Sequence, residues 1–467
     1  MTVSNWNGST RFTPTAVVAP RNVAELIGVV TDPNLPSPLR AVGELHSLND
    51  SVTTPGTVVF MKHFADIGEP FGEPGNQRVT VGAGVRMIDL KNALKRRRLQ
   101  LEVVPEIGNA TAGSVACCGT KDSSLGPGRG QISSIVRAVR MVTAAGRDDE
   151  VPENHPDLPL IRSSYGLLGI IYEVTFEVRP RQKVKYRYVS VDLGRCLKQG
   201  EPLPEPGGPK ILGGADGFLG FLLPYRGQLI VERRIVARHH LALWGLDRVK
   251  LWLRTFAWTT GARPFMRPLR LLPKPARHRI TTAWIKVLDR GFLRLFFLRL
   301  IWRFASFRAD AMIDFKRPVS SYFDFTFWAF PVSDWDRTVR HFLKFCEEFQ
   351  RRTGFRPGLP AEVYFIRRDD RGLLSFSFDE DIFTLDLVNW TDAEPACWRQ
   401  MNQEFNEFAA LHGGRPLLNQ TKELSRAVAR HVWTPGWHAL AAARRQRDPG
   451  ARFLTPFFES VLPEPRG

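Results

Sequence analysis

Arg40-Ala-Val-Gly-Glu-Leu-His46-Ser-Leu-Asn-Asp50 is the stretch on which the reading of this chain turns. A short apolar run, Leu39 with Ala41 and Val42, has the pattern of a strand and stops at Gly43. Glycine lets the backbone turn and lets a ligand approach it closely. His46 follows three residues later, and Ser47, Leu48 and Asn49 add a hydroxyl, an apolar anchor and an amide. A histidine held on such a turn has the chemistry to attack an electrophilic group. Taken alone, the stretch also reads as a surface loop with an ordinary histidine, so its neighbours must decide.

The chain has 467 residues, enough for two large units that each bury a core. Hydrophobic content of 43% and charged content of 24% are globular values. The five cysteines form no CxxC pair and leave an odd count, which argues against a disulfide framework and against a structural zinc site, so no metal is expected. The N-terminus shows no basic and apolar leader, and no run of 18 apolar residues is free of charge, so the expected location is cytoplasmic. The net charge of +18 is unevenly placed: residues 231–310 hold 18 Lys and Arg against four acids. Such asymmetry suggests an anionic membrane surface as a partner and a peripheral location on it. No nucleic-acid motif accompanies the charge, so nucleic acid is not expected.

In chain order, Asn22 is placed to cap a helix running to about Val30, and Gly56–Met61 and Arg78–Gly82 read as strands. Val85–Arg98 reads as a helix after Gly82-Ala-Gly84. The third glycine of a dinucleotide fingerprint is missing there, so that motif is set aside. A strand ending at Pro105 leads into a loop with Gly108, Asn109 and Thr111, then a small-residue turn at Gly113-Ser114 that runs to Gly119-Thr120. Small residues at 110, 112, 113, 114, 116 and 119 would let backbone N–H groups face a ligand, as in a pyrophosphate cradle; close packing explains them as well. Ile132–Thr143 alternates as a strand, and Tyr165–Val178 is a glycine turn entering a long strand closed by Pro180.

These motifs, in order, are Asn5-Trp6-Asn7-Gly8, Gly43-x-x-His46-Ser47, Pro105…Thr111-Ala-Gly-Ser114…Gly119-Thr120 and Gly166-x-x-Gly169-Ile-Ile171. Together, over residues 4–180, they resemble FAD-linked oxidases of the vanillyl-alcohol oxidase type, with PCMH-type FAD binding, and most of all the aldonolactone and alditol oxidases. The resemblance implies an α+β fold: a two-part FAD-binding domain over 1–180, a substrate or cap domain over 181–430 with an antiparallel sheet covered by helices, and a C-terminal segment, 431–467, returning to the first domain. It implies that Gly43, His46, Ser47, Leu48, Asn49 and the loops from Pro105 to Thr120 surround FAD. Gly169 and Ile171 would lie on its adenine side. It also implies that His46 stands where that subgroup attaches FAD covalently, although Glu44 and Leu45 replace the usual small residues before it.

Beyond Pro180, the segment 239–310 is basic and aromatic, with Gly291–Phe307 written as a helix. It reads either as a membrane-surface element or as core helices with solvated arginines. From Ser321 the pattern gives a strand to Pro331, a helix Trp335–Arg352, strands Glu362–Arg367, Leu373–Phe378 and Ile382–Asn389, and a helix Trp398–Leu411. The sugar oxidases' Glu-x-Arg strand becomes Glu362-Val-Tyr364, their histidine falls at Asp386-Leu387, and only Lys422 remains of their last motif. The Gly413-Gly-Arg…Lys422 layout is more similar to the oxidase acting on polyprenyl-phosphoryl ribose, which implies a lipid-linked sugar or alcohol as an alternative substrate. The expected reaction is oxidation of a CH–OH group by hydride transfer to flavin N5. Lys422 is the first catalytic candidate, and Asn419, Glu362 and Asp386 are further ones. Alternatives are a flavin reductase or dehydrogenase for a sterol or other lipid and a non-catalytic basic protein that binds membranes.

Overall fold

The computed structural model describes residues 1–103, 108–121, 130–237, 305–308, 323–390 and 394–464. Pro105 and the basic segment 239–310, apart from 305–308, lie outside the described residues. Among the described residues no helix is long and apolar enough to cross a membrane.

The chain begins with a three-stranded parallel sheet. Ala16–Val18 and Leu39–Val42 flank Thr57–Phe60, and Ala16 and Leu39 both stand opposite Thr57. Parallel strands need a crossover, and helix Val23–Thr31 supplies it: Asn22 Oδ1 accepts the Glu25 N–H at 2.9 Å, and Leu26 and Val30 are buried. An antiparallel sheet follows. Ile170–Pro180 runs between Gln77–Gly82 and Val136–Val142, pairs at its far end with Leu99–Leu101, and Asp148–Val151 lies beyond Val136–Val142. Its Val174, Phe176 and Val178 alternate into the core.

The second half is built on an eight-stranded antiparallel sheet in the order Ala305–Arg308, Lys183–Asp192, Gln228–Ala237, Gly217–Leu223, Ala361–Ile366, Ile382–Thr384, Trp328–Pro331, Arg415–Pro416. Helix Trp335–Thr353 buries Val339, Phe342, Cys346 and Phe349, and helix Pro395–Leu411 buries Trp398, Met401, Phe405 and Ala409. Phe342 meets Phe405 edge-on at 5.6 Å. The expected α+β architecture is what the molecule has. The C-terminal tail comes back to the first sheet: Arg452 donates to the carbonyls of Val30 at 3.0 Å, Leu35 at 2.6 Å and Asp32 at 2.8 Å, and the Leu39 N–H bonds the Arg452 carbonyl at 2.7 Å. A guanidinium thereby satisfies carbonyls left open at a helix end.

Several expectations need correction, among them the strand from Ser321 to Pro331, which is two strands in different sheets, Phe323–Thr326 and Trp328–Pro331, and the strand Ile132–Thr143, which is a 3-10 turn, Ile132–Ile135, before strand Val136–Val142. The strand before Pro105 is shorter, Leu99–Leu101. The small-residue turn at 113–114 is a helix, Ala112–Cys117, because nothing in that run interrupts local hydrogen bonding. Leu373–Phe378 is not a strand despite its alternation: Leu373 N–H bonds Pro159, Leu374 N–H bonds Ser163 Oγ, and the ladder is replaced by these contacts to helix Leu158–Ile161 and its following turn. Ile382–Asn389 is two strands, Ile382–Thr384 and Leu387–Trp390, which join different sheets on either side of Leu385-Asp386. The helix written to Phe307 does not hold at its end, since Ala305–Arg308 pairs in register with Lys183–Tyr186.

Candidate active site

A cleft of about 1010 Å³, its open mouth included, runs between the two sheets of the N-terminal part and a turn from the far end of the chain. The turn after strand Leu39–Val42 forms one wall, with Gly43, His46 and Ser47. Thr111, Gly113, Ser114 and Thr120 form the second, from helix Ala112–Cys117 and its flanks. Gly169 and Ile171 close one end, and Asn419 and Gln420 close the other.

The turn that carries His46 is clamped from both sides. Asn5 Nδ2 donates to the Ser47 carbonyl at 3.0 Å, and the Trp6 N–H bonds the Leu45 carbonyl at 3.1 Å. The Trp6 and His46 rings lie 5.4 Å apart. Asn49 donates to the carbonyls of Leu418 and Thr421, both at 2.7 Å, and the Leu48 N–H bonds the Asn419 carbonyl at 2.9 Å. Leu48 and Asn49 therefore stand behind the cleft and fasten the 417–421 turn to the His46 turn. Leu45 has φ +55°, a left-handed conformation that costs a branched side chain energy.

The glycines act by close approach. A Cβ on Gly43 would lie 2.1 Å from Thr111 Oγ1, one on Gly113 2.8 Å from the Ala83 Cβ, and one on Gly169 2.3 Å from the Met141 Cε. The backbone cradle expected at 112–113 is corrected: the Ala112 and Gly113 N–H groups bond the carbonyls of Val85 and Ala83, at 2.8 and 2.9 Å. They fasten this wall to the sheet and are not turned to a ligand. Gly108 and Asn109 lie off the cleft, where the Gly108 carbonyl accepts from Ile88 N–H at 2.6 Å. Gly119, with φ +33°, packs near Gln131 and Leu417.

The cleft fits a flavin nucleotide on two observations. Its walls are brought together by residues without side chains, and two amide oxygens at its end, Asn419 Oδ1 and Gln420 Oε1, are buried with no donor from the protein. Buried acceptors of this kind are matched when a ligand brings N–H or O–H groups. Arg40, Tyr165 and Gln420 line the cleft and were not singled out in the sequence. Arg40 is buried, and its Nη1 donates to the Tyr165 carbonyl at 2.6 Å. A lone buried arginine on an apolar strand was the available signal. Cys117 and Cys118 also line the cleft as free thiols, their sulfurs 3.8 Å apart.

The three other catalytic candidates do not line the cleft. Lys422 Nζ pairs with Asp324 at 2.7 Å; Asp324 also accepts from Trp398 Nε1 at 2.9 Å and from Asn7 Nδ2 at 3.3 Å. Glu362 and Asp386 exchange backbone hydrogen bonds at 3.0 and 2.9 Å across neighbouring strands. The Asp386 carboxylate is enclosed and paired with Lys121, one residue past the cleft wall at Thr120. Burial raises the Asp386 carboxyl from the ordinary 3.8 to about 6, against the pull of the Lys121 ammonium and the Thr384 hydroxyl.

Residues 14–148 match the FAD binding domain model. Over 477 residues the chain is 26% identical to L-gulono-1,4-lactone dehydrogenase of Mycobacterium tuberculosis, covering 98% of each. It is 29% identical over 181 residues to a long-chain alcohol oxidase of an uncultured marine euryarchaeote, covering 38% of this chain and 36% of that one. Its fold superposes on a solvent-stable cholesterol oxidase with a TM-score of 0.73 at 16% identity, covering 98% and 97% of the two chains. The protein is an FAD-dependent oxidoreductase, similar along its whole length to a lactone dehydrogenase and in fold to a cholesterol oxidase. Its kind acts on the CH–OH groups of small molecules.

Proposed function

We propose that the protein oxidises an alcohol to a carbonyl, with FAD seated in the cleft between the His46 turn and helix Ala112–Cys117. The observation that carries this is the pair of buried, unmatched amide oxygens of Asn419 and Gln420 at the end of that cleft. The flavin, when bound, supplies the hydride acceptor. The protein supplies the seat, the enclosure from water and the group that handles the hydroxyl proton. In this reading residues 1–180 hold the cofactor, 181–430 face the substrate, and 431–467 return to the first unit, as the Arg452 contacts support. The strand bearing Glu362 and Tyr364 lacks a guanidinium at Tyr364, so simple aldonolactones and alditols should be poor substrates, and an alcohol with a lipid body is the better candidate.

The test is anaerobic reduction of the purified yellow protein with a panel of alcohols, lactones and polyols. Bleaching by an alcohol is expected; efficient bleaching by xylitol or L-gulono-1,4-lactone would overturn the substrate reading. His46 lines the cleft, and a neutral imidazole is nucleophilic enough to hold the cofactor covalently. Acid precipitation should then leave a yellow pellet for the wild type and a colourless one for His46→Ala. A colourless wild-type pellet would reduce His46 to a wall residue. The charge of residues 231–310 further supports binding to an anionic membrane surface, which salt should weaken over a Debye length of ~8 Å.

A further inference from the structure

We infer that Lys121 is the residue that meets the substrate hydroxyl, that Asp386 positions it and receives the proton through it, and that the substrate beside them is an apolar body with a single reacting hydroxyl. The inference rests on the alcohol-oxidation reading and names the residue and the substrate class.

Lys121 comes one residue after Thr120, which lines the cofactor cleft, and is held there by a bridge to Gln131. Its ammonium reaches the other half of the molecule. It pairs with Asp386 and lies 4.1 Å from the centre of the Tyr364 ring and 4.7 Å from that of Phe327. The Lys121 side chain keeps 10% of its surface and the Asp386 side chain keeps 0%, so the cation is the member of the pair a substrate can touch. A buried ion pair of this kind is weak as a device for stability, because desolvation cancels much of the attraction. Its position, at the seam between the cleft and the facing sheet, gives it a use in chemistry instead.

Asp386 sits in the break where the chain leaves Ile382–Thr384 and enters Leu387–Trp390, with its backbone tied to Glu362. With FAD bound as the two-electron acceptor, Lys121 Nζ would give a proton to the Asp386 carboxylate and take the substrate's hydroxyl proton in its place. The carbon would become a carbonyl, Lys121 would remain an ammonium, and Asp386 would end as a neutral acid. A carboxyl already pushed up by burial is a better acceptor for that proton. The groups around it are Lys121, Thr384, and Glu362 and Tyr364 from the neighbouring strand. One point charge addresses one oxygen, and the ring faces of Tyr364 and Phe327 suit carbon skeleton rather than a row of hydroxyls.

The experiment uses the full-length holoenzyme and its Lys121→Met, Lys121→Arg and Asp386→Asn variants. Anaerobic single-turnover bleaching is followed with a long-chain primary alcohol, a sterol and xylitol across pH. Lys121→Met should slow bleaching by about 100-fold per bound flavin, Lys121→Arg should restore part of it, and Asp386→Asn should abolish the rise in rate with pH. Thermal melts of the flavin-free protein give a second readout, in which Lys121→Met loses more stability above pH 6 than below it. Unchanged bleaching in a folded Lys121→Met protein overturns the role of Lys121. Faster bleaching by xylitol than by the apolar alcohols overturns the substrate class. If no alcohol bleaches the wild type, the alcohol-oxidation reading itself fails.

Discussion

In the cleft by His46 the walls meet through missing side chains; in the second half of the molecule distant segments meet through charged ones. Gly43 and Thr111, or Gly113 and Ala83, approach so closely that a single methyl group would collide. Beyond the cleft, Lys121 pairs with Asp386, and Lys422 pairs with Asp324 of the two-stranded sheet, each an ion pair between segments far apart in the chain. The first kind of contact tolerates no added volume, and the second tolerates no lost partner. The cleft is thus a steric device for seating a large flat ligand, and the contacts beyond it are electrostatic. Lys422 is held differently from Lys121: its ammonium pairs with Asp324, and Asn7 and Trp398 converge on the same carboxylate.

The largest effect should come from Gly113→Asp, which adds a methylene against the Ala83 Cβ and a charge inside the cleft. Colourless or unfolded protein is expected; a folded variant with full FAD content would break the steric half of the comparison. Next is Lys422→Met, which leaves the Asp324 carboxylate buried without its cation and should cost ~3–5 kcal/mol in urea unfolding. Flavin reduction per bound FAD should be retained, and its loss in a stable variant would return Lys422 to the chemistry.

Asp386 gives a pH signature. Its carboxyl is raised in the folded protein from 3.8 to about 6, so the folded state holds this proton more tightly than the unfolded chain. The associated stability is fully present below the ordinary value and is lost as pH rises through about 6, by ~3 kcal/mol. Melts of wild type and Asp386→Asn across pH 4–7 measure the difference, and parallel curves would show that the carboxyl is not buried as described. The smallest effect concerns Leu45. Leu45→Ala keeps the left-handed strain and loses packing on Val42 and Val58, whereas Leu45→Gly relieves the strain. Leu45→Gly should therefore be the more stable of the two by ~0.5–1 kcal/mol, and the reverse order would remove the strain at that turn.

The sequence alone determined the local elements and the order of the cofactor motifs. Asn22 caps its helix where an Asn-x-x-Glu pattern places it, and the alternation of Ile170–Pro180 matches the buried face of that strand. Gly43, His46, Thr111, Gly113 and Gly169 could be named because they stand in the ordered motifs that carry the family resemblance, and each of them lines the cleft. What tertiary structure decided was which distant groups share a site. Leu373–Phe378 alternates like a strand but bonds to Pro159 and Ser163, and Ile382–Asn389 breaks at Asp386 because its two ends join different sheets. Lys121 and Asp386 are 265 residues apart, as are no two members of any motif, and Lys422 meets Asp324 across 98. Periodicity and spacing report on neighbours along the chain; the partner of a buried charge is set by how sheets pack, and only the folded chain brings those groups together.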